Sequence, residues 1–478
     1  MNIKMISRVL GLIMLLLAAL LILPLIAGLC YGESVLNFVI TIVLCAAFGG
    51  LMLLPKVEDR SLFARDGLVI VGFGWLLMSL FGALPFVLSG DIPNYIDAVF
   101  ETASGLSTTG SSILTDIEAM SRGCMFWRLF THWIGGMGVL VFIMAVLPMN
   151  NEFSMHIMRA EVPGPTVGKL VPKVKQTAKI LYIIYIALTV LEAILLLCGG
   201  MSFYEAILHA FATAGTGGFS TRAASIAAFD SVYIEMVISV FMMLFGLNFN
   251  LYYLILIGKA KDALKNEELH WYLAIIASFT LIFAFSIRNM YGGFLQGLRY
   301  AFFNVNTVMS TCGFGTVDFV QWPEYCKWML VLLMLCGGCA GSTGGGMKLS
   351  RIMMLLKSGI VDIRRSVNPR LVSRVNLDRK PVPAATLKAV RDFALLYFIC
   401  LFVLTFIISF DGYDITTNFT AAISCLSNIG PGMGLIGPTG GYAIFSHTTK
   451  AFMAFAMLLG RLEIYPLIII LSPSTWKR

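Results

Sequence analysis

The sequence predicts an all-α polytopic membrane protein in which four pseudo-symmetric repeats surround one axis and two extra transmembrane helices precede them. Three observations predict this class: an apolar composition, a series of long charge-free stretches, and a glycine-centred segment that recurs four times. Of the 478 residues, 58% are hydrophobic and only 13% are charged. A water-soluble chain of this length cannot bury so much apolar surface, so lipid is the expected solvent for most of it.

The long apolar stretches predict the transmembrane helices, because a helix needs roughly 20 apolar residues to cross a bilayer. Ten candidate spans, some shorter or interrupted by one charge, cover 9–32, 34–55, 67–90, 129–151, 180–204, 236–258, 271–287, 328–347, 393–410 and 444–476. The first is too long for a signal-peptide core and lacks a small-residue cleavage site. It is therefore interpreted as a retained helix.

The basic residues indicate the topology. When the N-terminus is placed inside, the loops on that side collect most of the 34 Lys and Arg residues, above all in the segment 347–392. This bias is the positive-inside pattern, which predicts both termini in the cytoplasm. The net charge of +8 is thus a topology signal, and no nucleic-acid partner is expected.

The segments predicted to face outside are rich in Gly, Thr and Ser and align on one glycine. They end in Thr108-Thr109-Gly110, Thr216-Gly217-Gly218, Thr311-Cys312-Gly313 and Asn428-Ile429-Gly430. Each lies between two spans, so each unit is interpreted as an outer helix, a half-buried pore helix, an extended glycine segment and an inner helix (M1–pore loop–M2). The predicted division is an N-terminal transmembrane helix pair at 1–66 and pore repeats at 67–150, 151–259, 260–388 (with a cytoplasmic loop) and 389–478.

Such units predict a path for a small cation. Irregular backbone at membrane depth is tolerated only where it is buried in protein or lines water. Glycines let successive carbonyls face an axis, a ring of carbonyls can replace a cation's hydration shell, and the C-terminal end of a pore helix favours positive charge. No filter segment contains a basic residue, Arg222 being the nearest, which argues against an anion pore. A single Thr-Gly motif is usually a turn; four copies in register favour a filter.

Three further strings are less generic: Trp133-Ile-Gly-Gly-Met-Gly138, Gly338-Cys-Ala-Gly-Ser-Thr-Gly-Gly-Gly-Met-Lys348 and Gly460-Arg-Leu-Glu463. With the four filter segments, they make nearly the whole chain resemble the Trk/Ktr/HKT superfamily of potassium transporters, specifically the bacterial TrkH/TrkG type. The resemblance implies a bacterial inner-membrane protein, a homodimer with one ion path per protomer, and a potassium ion held at the twelve residues of the four triplets. Potassium is then the transported ion, and no cofactor is expected. In plant relatives a serine at the first filter glycine accompanies sodium preference, so Gly110 favours potassium.

The segment 337–346 holds six glycines among ten residues, each costing about 1 kcal/mol relative to alanine in a helix. One alternative is close helix packing through the GxxxG pair Gly341 and Gly345; the other is an intramembrane loop that blocks the path below the filter. The resemblance favours the loop. The predicted gate residues are Gly337, Gly338, Gly341, Ser342, Thr343, Gly344, Gly345, Gly346 and Arg461.

Arg461 lies deep in the last apolar stretch, where a charge is costly enough to suggest a function. Two compatible interpretations stay open: an internal ion pair with Glu463 or Glu101, or an electrostatic barrier along the pore near the gate. Glu101 is expected to anchor helix ends rather than to bind the ion. His132 is expected to be a packed residue, and Lys348 should mark the cytoplasmic exit of the third inner helix.

No glycine-rich dinucleotide fingerprint follows a predicted strand. The resemblance instead implies a separate TrkA-like nucleotide-binding regulatory subunit on the cytoplasmic face. The basic loop 348–391 is a candidate surface for that subunit, and it would also attract anionic membrane lipid.

Other function classes are weaker. An ion-coupled secondary transporter of a small solute remains the alternative, although its repeats should be inverted around a midplane pocket. A membrane-embedded enzyme would need a polar catalytic cluster, and the sequence has no Ser–His, paired-Asp or HExxH arrangement, so no enzymatic activity is expected. Cys336 and Cys339 have a CxxC spacing but no thioredoxin-like context.

Overall fold

A computed structural model describes residues 1–57, 62–138, 174–370 and 374–476. Within these residues nearly all of the regular structure is α-helical. Within these ranges six helices are long and apolar enough to cross a membrane, and a bent helix pair adds a seventh when it is counted as one span. The described β-structure is a hairpin that pairs Asn376–Leu377 (β1) with Lys380–Pro381 (β2). The prediction of a multi-pass helical membrane protein is confirmed at this level.

The structure describes 21 α-helices in the ranges given above. In chain order they are α1 (Ile3–Leu20), α2 (Ile22–Cys30), α3 (Leu36–Leu53), α4 (Ala64–Gly82), α5 (Leu84–Ser89), α6 (Tyr95–Leu106), α7 (Arg122–Gly136), α8 (Val174–Cys198), α9 (Phe203–Ala214), α10 (Val232–Phe245), α11 (Phe249–Leu256), α12 (Ala260–Leu264), α13 (Glu267–Ile287), α14 (Phe294–Met309), α15 (Glu324–Cys336), α16 (Leu349–Val367), α17 (Ala384–Ile408), α18 (Ile415–Ser427), α19 (His447–Arg461), α20 (Tyr465–Leu471) and α21 (Pro473–Trp476). Short 3₁₀ helices cover Ser225–Phe229, Phe319–Gln321, Ser409–Asp411, Gly434–Ile436 and Tyr442–Ile444.

The predicted span at 236–258 is wrong as a straight helix, because the chain bends by 90° between α10 and α11. Gly246 ends α10, and Asn248 begins α11 by accepting a hydrogen bond from the Asn250 amide at 3.0 Å. A side-chain cap of this kind restarts a helix in a new direction.

Two other predicted spans are interrupted. The span at 328–347 ends as a helix at Cys336, where the glycine-rich segment begins. The span at 444–476 divides after α19, because Glu463 and Ile464 adopt left-handed φ angles of 54° and 70°. In the span at 129–151, residues 139–151 lie outside the described residues, as does the predicted domain boundary at 150/151. The division into five domains stays a prediction.

Four helices are too short to cross a bilayer: α6, α9, α14 and α18 have 12, 12, 16 and 13 residues. Asn94, Ser202 and Asp414 begin three of them by accepting hydrogen bonds from first-turn amides. Each short helix runs directly into one of the glycine segments. Each of the four glycine segments therefore follows the C-terminal end of a helix that is shorter than a transmembrane span.

The N-terminal helices α1 and α3 cross at a pair of glycines. A Cβ on Gly11 would lie 2.8 Å from the Gly49 carbonyl oxygen, and a Cβ on Gly49 would lie 2.9 Å from the Gly11 carbonyl oxygen. A Cβ on Gly50, the next residue, would have nothing within 4 Å. Small residues at such crossings let two membrane helices approach closely, since van der Waals packing holds them together.

We expect Gly49→Leu to lower the thermal stability of the detergent-purified protein, because the added side chain forces α1 and α3 apart at a cost of about 1–3 kcal/mol or more. Gly50→Leu is the matched control and should melt within the experimental error of the unsubstituted protein. The measurement is the loss of the monodisperse peak in gel filtration after heating. Equal melting of both variants would contradict the crossing as drawn.

Candidate functional site

The four glycine segments share one backbone conformation where the short helices end. In each, the residue two places before the glycine is left-handed, with φ between 54° and 60°. These residues are Thr108, Thr216, Thr311 and Asn428, and they precede Gly110, Gly218, Gly313 and Gly430, whose φ angles are 81°, 77°, 92° and 102°. A β-branched residue rarely adopts this region. Each left-handed threonine therefore holds strain on the order of 1–3 kcal/mol, which the surrounding structure maintains.

The left-handed residue closes each short helix with a Schellman cap. The amide of the next residue donates to the carbonyl five positions earlier, at 2.8–3.0 Å. The pairs are Thr109 with Ser104, Gly217 with Ala212, Cys312 with Thr307, and Ile429 with Ser424. Such a cap ends the helix and turns the chain away from its axis. The partial negative charge at each helix C-terminus thus lies beside a glycine segment.

The four segments lie side by side in a closed ring. Each filter glycine packs against a carbonyl oxygen of the next segment, so a Cβ at the glycine would collide with that oxygen. Around the ring the pairs are Gly110 with Gly217, Gly218 with Cys312, Gly313 with Ile429, and Gly430 with Thr109. The first segment contacts the second, the second the third, the third the fourth, and the fourth the first. The structure thus brings together all twelve residues predicted for the filter.

The fourth segment differs from the others in its side chain and in one carbonyl. Asn428 donates through Nδ2 to Thr109 Oγ1 at 2.9 Å and to the Met457 carbonyl at 2.8 Å, which joins the fourth segment to the first. The Gly430 carbonyl accepts hydrogen bonds from the hydroxyls of Ser111 (3.2 Å), Tyr442 (2.8 Å) and Ser424. That carbonyl is therefore occupied by donors of the protein itself.

On one side the four glycines open into a cavity of about 110 Å³. Its lining includes two arginines, Arg222 and Arg128 of α7. Arg128 is buried, its Nε lies 2.6 Å from Glu101 Oε1, and its guanidinium lies 3.6 Å from the centre of the Phe219 ring. Sequence reasoning missed Arg128, since only the fold brings α7 to the mouth of the ring.

Glu101 holds the end of the first segment, in agreement with the anchoring role expected for it. Its carboxylate accepts hydrogen bonds from Ser112 Oγ at 2.9 Å and the Ile113 amide at 3.0 Å, in addition to the Arg128 contact. His132 is likewise a packed residue. Its Nδ1 contacts the Gly105 carbonyl at 2.8 Å, and its Nε2 accepts from the Phe219 amide at 3.2 Å, so both ring nitrogens have protein partners.

The glycine-rich segment between α15 and α16 is a loop. Helix α15 ends at Cys336 and α16 begins at Leu349, while Gly337, Gly341 and Gly346 have φ angles of 69°, 71° and 77°. The predicted break is present. Packing through a helical GxxxG pair is excluded, since Gly341 and Gly345 are not helical.

The loop lies against the ends of the third and fourth short helices. The Gly345 amide donates to Thr311 Oγ1 at 2.6 Å. A Cβ on Gly344 would lie 2.7 Å from the Ser310 carbonyl oxygen, and a Cβ on Gly345 would lie 2.9 Å from Asn428 Cβ. The loop is thus in contact with the left-handed residues that precede two of the filter glycines.

Arg461 joins this loop to α7. Its guanidinium donates to the carbonyls of Thr343, Gly135 and Gly136, the last at 2.7 Å. Gly135 and Gly136 are the C-terminal residues of α7, where a cation is favoured. The two carboxylates considered as its partners are paired with other arginines, Glu463 with Arg351 and Glu101 with Arg128, both at 2.6 Å.

Lys348 is the last residue of the loop and is buried, and its expected place at the cytoplasmic exit of the third inner helix stays a prediction. It is 1% exposed, has a left-handed φ of 74°, and folds back so that Nζ donates to the Gly344 carbonyl and lies 3.4 Å from Ser342 Oγ. With Arg461 it places two cationic side chains on two consecutive loop carbonyls, those of Thr343 and Gly344.

The break between α10 and α11 and the loop between α15 and α16 satisfy each other's backbone groups. The Cys339 amide donates to the Gly246 carbonyl at 3.0 Å, the Thr343 amide to the Phe245 carbonyl at 3.4 Å, and the Phe249 amide to the Gly341 carbonyl at 3.1 Å. The carbonyls at the end of α10 and the amide at the start of α11 would otherwise be orphaned. The bend and the loop are therefore one structural feature.

Glu268, in the first turn of α13, connects the loop to the first turn of α16. Its Oε1 accepts from the Ala340 amide at 2.8 Å and from the Ser350 amide at 3.1 Å, and the residue is 5% exposed. Ser350 is the second residue of α16, where an anion is favoured by the helix dipole. One carboxylate oxygen thus fixes the distance between the loop and the helix that follows it.

Comparisons with known proteins point to one family of cation transport proteins. A family model for TrkH, described as cation transport protein, matches residues 34–290 and 296–477. The Trk system potassium uptake proteins TrkH of Halomonas elongata and of Escherichia coli K12 are each 34% identical over 100% of both chains. The Trk system potassium uptake protein TrkG of Escherichia coli K12 is 32% identical over 95% of this chain and 94% of that protein. The crystal structure of the potassium transporter TrkH from Vibrio parahaemolyticus is similar with a TM-score of 0.90 and 30% identity, covering 100% of both chains.

We expect Glu268→Ala to loosen the loop, because it leaves two buried amides without an acceptor, at a cost of about 1–3 kcal/mol for each unsatisfied group. Hydrogen–deuterium exchange of the peptides containing Ala340 and Ser350 should then quicken roughly tenfold or more. Glu267→Ala is the matched control, since the neighbouring Glu267 pairs with Lys357 instead. Exchange of these peptides that stays the same in both variants would show that Glu268 does not pin the loop.

Proposed function

This chain belongs to the TrkH family of cation transport proteins, and we propose that it is the potassium-selective, ion-translocating subunit of a Trk-type uptake system. Its relatives are named potassium uptake proteins, so its activity is transport and not catalysis. Potassium crosses by channel-like conduction through the ring of four glycine segments. No cofactor is needed for this step, and potassium is the cargo.

The observation that carries this proposal is the closed cyclic order of the four segments. Their carbonyls replace the water around a cation that has lost its hydration shell. Four short helices point their C-terminal ends at the same place, so their dipoles add to the attraction for positive charge. The proposed architecture is four M1–pore loop–M2 repeats around this path, with the N-terminal helix pair outside them.

The loop at 337–346 is the proposed gate. It contacts the left-handed residues Thr311 and Asn428, and the Arg461 guanidinium lies on its Thr343 carbonyl. In this conformation the loop and the positive charge of Arg461 obstruct a cation that leaves the ring on that side. Conduction then requires the loop and Arg461 to move apart.

The proposed setting is the bacterial inner membrane, with both termini in the cytoplasm, because basic residues concentrate on one side of the predicted topology. The proposed assembly is a homodimer with one path per protomer. A TrkA-like nucleotide-binding regulatory subunit would dock on the cytoplasmic face and act on the gate. The exposed basic residues of 348–391 offer a surface for that contact.

Rubidium uptake into liposomes tests the filter. We expect uptake by the purified protein to be inhibited by potassium much better than by sodium, and Gly110→Ser to weaken that preference because its side chain enters the ring. Gly90→Ser is the matched control, since Gly90 has a similar φ of 83° but a Cβ there would have nothing within 4 Å. Selectivity that is indifferent to Gly110, or no cation flux with the regulatory subunit present, would contradict the proposal and favour a solute transporter.

The same assay without the regulatory subunit tests the gate. We expect Arg461→Ala to raise basal rubidium flux several-fold, because it removes both a barrier charge and a tether of the loop. Arg222→Ala serves as the control, since Arg222 lies at the opposite mouth and its side chain is 45% exposed. Unchanged or lower flux in a monodisperse Arg461→Ala protein would count against the gate.

A further inference from the structure

A second, larger cavity lies far from the ring, between α16, the β-hairpin and the start of α17. Its volume is about 850 Å³. Six charged side chains line it: Arg365, Arg374, Lys388, Arg391, Asp362 and Asp392. Four are basic and two acidic, so the groove carries an excess of positive charge.

Part of this charge is already paired and part of it is available. Arg391 donates to Asp362 Oδ2 at 2.6 Å and to Ser358 Oγ, and Arg365 lies 3.9 Å from Asp362 Oδ1. Among the described residues, neither Arg374 nor Lys388 makes an ion pair or a side-chain hydrogen bond, and both are exposed. The paired side chains of Arg391 and Asp362 thus form one wall of the groove. Arg374 and Lys388 remain available to bind an anion.

The length of α17 places the groove at the membrane surface. The span Ala384–Asp411 has 28 residues, about 42 Å at the helical rise, against a hydrocarbon core of about 30 Å. Its exposed apolar side chains begin at Leu395, 65% exposed, and continue to Phe410, 75% exposed. Lys388 and Arg391 come one to two turns earlier, at the level of the lipid headgroups.

The groove is continuous with a face of α17 that is exposed to lipid. Leu395, Ile399, Phe402 and Phe406 follow Lys388 at intervals of 7, 11, 14 and 18 residues, which places them on the same helix face. They are 65%, 49%, 63% and 65% exposed. A molecule with its anionic group at Lys388 would have an apolar track directly along its path into the bilayer.

We propose that this groove binds an acidic phospholipid of the adjoining leaflet. The phosphate group lies between Lys388 and Arg374, and the acyl chains lie along the exposed face of α17. Apolar groove residues such as Val361 and Leu387 contact the glycerol region. The leaflet is the cytoplasmic one if the proposed orientation is correct; this is the only respect in which the site rests on the proposed function.

A lipid explains the site better than a soluble anion does. A soluble phosphate compound would bind the basic side chains but would make no contact with the exposed apolar face of α17. Juxtamembrane basic residues attract anionic lipid by about 1 kcal/mol each, and a preformed groove adds contacts that a flat surface lacks.

Native mass spectrometry of the delipidated full-length protein tests this proposal, with phosphatidylglycerol and phosphatidylcholine as probes. We expect wild type to retain phosphatidylglycerol in preference to phosphatidylcholine. Lys388→Ala with Arg374→Ala should weaken phosphatidylglycerol binding about tenfold or more. The control is Arg364→Ala with Lys380→Ala, which removes the same charge from exposed positions that do not line the groove. Lys388→Arg should retain binding.

Three results would overturn the proposal. Equal phosphatidylglycerol affinity in the groove and control variants would place the lipid elsewhere. Displacement of the lipid by millimolar glycerol phosphate would assign the groove to a soluble anion. Unchanged lipid binding together with lost capture of the regulatory subunit would assign it to a protein. Lipid binding is measured without ion flux, so absence of rubidium transport would leave this result intact while sinking the proposed function.

Discussion

The structure depends on one constraint: backbone amides and carbonyls at membrane depth must find partners inside the protein. A continuous helix meets this constraint by itself, but this chain interrupts its helices repeatedly. The bend between α10 and α11 is stable because its exposed carbonyls and amide pair with the loop at 337–348. The four Schellman caps do the same at the ends of the short helices. The bend and the loop therefore depend on each other, whereas each short helix is capped by the segment that follows it directly.

The buried cationic side chains likewise have partners inside the protein. Arg461 and Lys348 lie on carbonyls of the loop, and Arg461 also lies on carbonyls at the end of α7. Arg128, at the other mouth of the ring, is instead paired with Glu101.

The loop residues proposed as the gate are connected to distant parts of the chain. Glu268, in the first turn of α13, accepts hydrogen bonds from both the loop and the first turn of α16. Helix α16 in turn forms one wall of the basic groove. Helix α16 therefore connects the groove physically to the proposed gate.

The membrane class and the four glycine segments were predictable from the sequence, because composition, span length and glycine content are local properties of one stretch of chain. The family was predictable as well, through the strings around Trp133, Gly338 and Gly460. The glycines of 337–346 left helical packing and a loop as alternatives, and the family resemblance favoured the loop that the structure has. Contacts in the folded chain were needed to close the segments into a ring, to bring Arg128 to its mouth, to bend α10 and α11 by 90°, and to pair the Gly430 carbonyl with protein hydroxyls. Each of these four features depends on contacts between residues that are far apart in the chain. The spacing of apolar residues along the chain gives no information about such contacts.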